Sequence, residues 1–114
     1  MPPKKNPLKL NKLQLRTLSL AQVLARDPNT GKLDEATGDV ELLRLPQTHG
    51  DHVHVGQFVV SAQEASGLSN PAVWTALKRK GLARGDNPLT MTLTAGGVAY
   101  DTGLGDRFLT KSDH

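Results

Sequence analysis

Apolar residues recur along this chain with more than one period, and each period marks a different element. Between residues 11 and 26 no Gly or Pro interrupts a run of good helix formers, and Leu13, Leu20 and Leu24 fall on one face at helical spacing. Leu15 and Leu18 lie nearly opposite. A helix that is apolar on more than one side must be covered from several directions, by the rest of the core or by a second copy of the chain. The Leu-x-Leu pairs at 8/10, 13/15 and 18/20 also alternate as a strand would. Asp27-Pro28, however, stops the segment as a helix is stopped, so a helix is predicted. Residues 27–39 are polar and rich in turn formers, which predicts a connector. Residues 40–45 and 52–60 then read as two strands joined by the loop Pro46-Gln47-Thr48-His49-Gly50-Asp51, an antiparallel hairpin over 40–60.

The boundaries between residues 61 and 94 are chemically explicit. Ser61 and Glu64 have the S-x-x-E spacing of a capping box, and Gly67 suits the left-handed position that ends a short helix. Asn70-Pro71 restarts the chain: Asn caps well, and Pro at the first helical position loses only an amide that has no partner there. Val73, Ala76 and Leu77 give one apolar face with Trp74 beside them. Lys78, Arg79 and Lys80 place positive charge at the negative end of the helix dipole, and Gly81 stops it. Leu89, Met91 and Leu93 alternate with threonines after the turn Gly85-Asp86-Asn87-Pro88, the pattern of a strand with one face on a core. Thr94 is placed to cap a further short helix over 95–100. The expected core includes Val73, Leu77, Leu82, Leu89, Met91 and Leu93, with Trp74 packed between helix and hairpin.

Helix, turn, basic-ended helix and ribbon in that order make a helix-turn-helix with a wing. Gly67-Leu68-Ser69, Leu77 with Gly81-Leu82, and Leu93-Thr94 with Gly97 resemble the pattern carried by winged-helix domains of bacterial transcriptional regulators, including the MarR type. The resemblance covers residues 61–97. The second helix is about one turn shorter than the family's usual recognition helix, and the wing lacks its Asp-x-Arg tip. The resemblance implies an α+β winged helix-turn-helix fold, here with an additional β-hairpin inserted after the first helix. Its parts are a basic tail over 1–10, a domain over 11–100 and an arm over 101–114. Within the domain, the hairpin covers 40–60, the helix-turn-helix 61–81 and the wing 82–94.

Charge sharpens this picture. Residues 1–26 carry six Lys or Arg and no acid, residues 27–64 carry seven acids against two bases, and residues 65–114 carry six bases against four acids. Folded together, the basic ends could share a positive surface and leave the acidic middle elsewhere. The bland alternative is a set of solvated faces with a basic tail. A length of 114 residues suits one domain with a modest core. The absence of cysteine excludes disulfide and thiol chemistry, and the N-terminal MPPKKNP has no hydrophobic signal core, so a cytoplasmic protein with no membrane association is expected.

One other cluster carries chemistry. His49, His52 and His54 lie within six residues. On a strand His52 and His54 share a face, and His49 or Asp51 could complete a site for zinc or nickel. The competing reading is a polar hairpin tip whose imidazoles bond one another or the backbone. No nucleophile elbow, phosphate loop or paired carboxylate points to an enzyme. The reading that follows is a DNA-binding, homodimeric protein in which Asn70, Thr75, Lys78 and Arg79 face a major groove of double-stranded DNA while Lys80 and Arg84 contact phosphates. No cofactor is expected beyond that one metal. The alternative from another class is a winged helix that docks or dimerises with protein and leaves DNA alone.

Overall fold

The computed structural model describes residues 8–43, 45–46, 50–55, 58–85, 91–104 and 110–111. Its centre is helix α1 (Lys12–Arg26), which begins where the sequence places it. Asn11 Oδ1 accepts the Gln14 amide at 2.8 Å, and Gln14 Oε1 accepts the Asn11 amide at 3.0 Å, a reciprocal cap. Residues 17–22 are all buried, so this helix is enclosed on every side through its middle. The cover comes from its own chain: both sheets, the helical segments of the 66–79 region and the last helix all pack on α1.

After α1 come β1 (Gly31–Leu33), β2 (Val40–Leu42), β3 (His52–Val55), β4 (Phe58–Ser61), a 3-10 helix (Ser66–Ser69), α2 (Pro71–Arg79), β5 (Ala83–Arg84), β6 (Met91–Leu93), α3 (Ala95–Ala99) and β7 (Thr110–Lys111). Among the described residues these form two antiparallel sheets, one ordered β1-β2-β6-β5 and the other β3-β4-β7. The molecule is a small α+β domain with a long helix packed on antiparallel sheets. In the four-stranded sheet Val40, Leu42, Ala83, Met91 and Leu93 turn inward. Lys32, Glu41, Thr92 and Arg84 stand in register across its outer side.

Several expectations are corrected here. The hairpin over 40–60 does not form as one unit. β2 pairs with β1 and β6, whereas residues 52–61 fold back on themselves as β3 and β4 with Val55 opposite Phe58. The connector over 27–39 contains β1, a three-residue edge strand whose Lys32 and Leu33 are exposed, so its own apolar pattern is too weak to announce it.

The first helix of the predicted helix-turn-helix is replaced by turns and the 3-10 helix. Ser61 Oγ still accepts the Glu64 amide at 3.2 Å. Gly67, however, sits inside the 3-10 helix and is not a left-handed stop. A Cβ on Gly67 would meet the Thr17 hydroxyl, so this glycine is required by the close approach to α1. At the chain ends, Leu10 is buried and the Leu8 amide donates to the Tyr100 hydroxyl at 3.1 Å, which ties residues 8–10 to the domain. The C-terminal arm contributes β7 alongside β4. Leu89, Phe108, Leu109 and the turn at 86–88 lie outside the described residues.

Candidate nucleic-acid interface

α2 owes its position to three sequence-coded fastenings. Asn70 Oδ1 accepts the Ala72 amide at 3.0 Å, with Pro71 at the first helical position. Trp74 is buried and its Nε1 donates to the Leu68 carbonyl at 2.8 Å, locking α2 to the 3-10 helix before it. At the far end the Leu82 amide bonds the Leu77 carbonyl and the Gly81 amide bonds that of Lys78, both at 3.0 Å, with Gly81 at φ 76°. This paired closure needs a left-handed residue, and Gly supplies it without a Cβ clash.

Val73, Trp74 and Leu77 face the core, while Pro71, Ala72, Thr75, Arg79 and Lys80 are exposed. Asn70 and Lys78 are half-buried. The helix contains no acidic residue, and its cations gather at the C-terminal end. Lys78 Nζ donates to the Gly85 carbonyl at 3.1 Å, so this ammonium fixes the end of β5 to α2. A groove of about 130 Å³ runs between them, lined by Leu68, Trp74, Thr75, Lys78 and Met91 among others.

Arg84 is not part of this surface. It lies in register with Thr92 on the outer side of the sheet, away from the inward-facing Ala83 and Met91. Its Nε donates to Asp39 Oδ2 at 2.9 Å. Asp39 Oδ1 accepts the Ala95 amide, also at 2.9 Å. The Arg84 hydrogen bond, then the Ala95 amide, hold the Asp39 carboxyl below its ordinary 3.8. Sequence reasoning missed this pair because its partners are far apart in the chain, and nothing local marks Asp39.

On β3, His52 and His54 do share a face, with ring centroids 5.0 Å apart at 79°. His52 Nδ1 lies 3.2 Å from Asp51 Oδ1. His49 is outside the described residues. Among those described, no three His, Cys, Asp or Glu side chains come together in a way that could hold a metal ion.

A larger cleft of about 610 Å³ lies between α1 and α3. Three of the polar side chains at its wall are engaged with neighbouring groups: Ser19 Oγ donates to Thr102 Oγ1 at 2.6 Å, and Gln22 Nε2 donates to the Gly97 and Tyr100 carbonyls. Among the described residues, no helix is long and apolar enough to cross a membrane. Comparison with protein-family models, with curated proteins and with solved structures finds no match.

Proposed function

We propose that the chain is a winged-helix DNA-binding protein that presents α2 to the major groove, with Arg79 and Lys80 meeting phosphates. The observation that carries the reading is the outer face of α2: exposed, free of acid, cationic at one end and braced against the β5–β6 ribbon. The strand order β1-β2-β6-β5 supports it too, because β2, which follows α1 and is separated from the helical segments by the β3–β4 hairpin, lies beside the second strand of the ribbon. Arg84 drops out of the contact set, held by Asp39 on the sheet's far side.

Titration of duplex DNA by fluorescence anisotropy over a range of salt tests the proposal. Neutralising two or three phosphates gives a log–log slope of about −2 to −3. Reversing Arg79 and Lys80 to Glu should abolish retention and leave the thermal melt in place. Retention indifferent to salt or to that reversal overturns the reading.

The rival is a protein-docking module. It draws on Leu33 and Leu43, which remain 57% and 44% exposed near the β1 edge. It predicts that a Leu33→Asp variant loses a protein partner while the Arg79 and Lys80 reversal changes nothing.

A further inference from the structure

In helix-turn-helix docking the N-terminal half of the second helix meets the base edges. What that half of α2 can offer here is restricted. Asn70 uses its carbonyl oxygen, one half of any bidentate pair with adenine, to hold the Ala72 amide. Lys78 is tied to the Gly85 carbonyl. Arg79 and Lys80 lie at the far end. The exposed residues that remain are Pro71, Ala72 and Thr75, and the last two sit three apart on one face. Between them they carry methyl groups and a single hydroxyl, with no guanidinium or amide. The groove beside Thr75 continues the same chemistry, since Leu68, Trp74 and Met91 line it.

Resting on the DNA-binding reading above, we propose that α2 recognises thymine through its C5 methyl group, using the Ala72 and Thr75 methyls. It does not read purines by bidentate hydrogen bonds. Apolar contact with that methyl is the one base-specific feature of the major groove that needs no polar partner.

The test uses duplexes selected by the protein from a random-sequence pool, then remade with deoxyuridine replacing thymidine at single positions. This change removes only the methyl. Loss of one read methyl should weaken binding about fourfold, the ratio set by burying one such group. Thr75→Ser keeps the hydroxyl and removes the methyl, and Ala72→Gly removes the methyl of the other contact. Each should erase discrimination at one position while binding the uridine duplex as tightly as the parent protein, with Trp74 emission reporting that the fold is intact. Equal binding of thymidine and uridine duplexes with the salt dependence preserved overturns this inference and leaves the DNA-binding reading standing. Discrimination that survives both variants also overturns it, by assigning the effect to DNA shape. Failure to retain any duplex overturns the reading and the inference together.

Discussion

Asp39 and Arg84 lie far apart in the chain, and their side chains meet at 2.9 Å, with Asp39 the sheltered partner at 15% exposure and Arg84 the open one at 58%. Through its other oxygen Asp39 takes the first amide of α3, so one carboxylate joins the end of the β1–β2 turn, the ribbon and the last helix. Its folded pKa lies below the ordinary 3.8. A depressed carboxyl contributes stability that is present above the unfolded value and lost as pH falls towards the folded one. Urea midpoints should therefore decline as pH drops below about 4. Asp39→Asn should be less stable at neutral pH and show a flatter acid limb. Arg84→Gln should reduce stability without reducing DNA retention, and a loss of retention would return Arg84 to the contact surface.

Trp74 is the chain's one tryptophan, buried, with its indole N–H on the Leu68 carbonyl. Its emission should be blue-shifted in the native protein and move to the red on unfolding, giving a direct probe of whether α2 is docked. Trp74→Phe keeps most of the ring but removes the donor, leaving a buried carbonyl unpaired at a cost of about 1–3 kcal/mol. A urea melt measures this. An unchanged midpoint would mean that the 3-10 helix is not held through this bond.

Thr17 illustrates the opposite case. It is fully buried in α1, and its hydroxyl has no partner among the described residues. Valine has nearly the same shape without the polar atom. Thr17→Val should be neutral or stabilise by up to about 1–3 kcal/mol, since removing an unpaired buried hydroxyl removes its desolvation penalty. Destabilisation by thermal melting would show that the hydroxyl has a partner in solution.

Much of the fold was legible wherever the code is local. Asn70 with Pro71, Gly81 and Thr94 mark helix ends through bonds to neighbours a few residues away, and each boundary lies where the sequence places it. The inward positions Val73, Leu77, Met91 and Leu93 follow from period alone. What was illegible depends on distant partners. β1 exists because β2 pairs with it, Gly67 is required by Thr17 on another helix, and Arg84 is claimed by Asp39 across the sheet. The candidate surface divides in the same way. The capped helix and its exposed cations were readable, whereas the occupation of Lys78 by Gly85 and of Arg84 by Asp39 was not.

Gly96 and Gly97 are neighbours in α3, yet they should respond to alanine with opposite signs. Alanine is intrinsically the better helix former by about 1 kcal/mol, so each substitution starts with that advantage. At Gly96 the new methyl would meet only Thr94 Oγ1 at 3.7 Å, an ordinary contact, and Gly96→Ala should raise the midpoint of thermal unfolding. At Gly97 it would collide with the backbone carbonyl of Leu82, immediately before β5, where no side chain can turn aside. That collision forces α3 off the sheet, and overpacking of this kind costs about 1–3 kcal/mol, enough to reverse the helical gain. The Gln22 bonds to the Gly97 and Tyr100 carbonyls would shift with it. Paired calorimetric melts of the two variants decide the point. If Gly97→Ala melts at or above the parent temperature, α3 does not rest on Leu82, and the close seat assigned to this helix against the start of β5 is wrong.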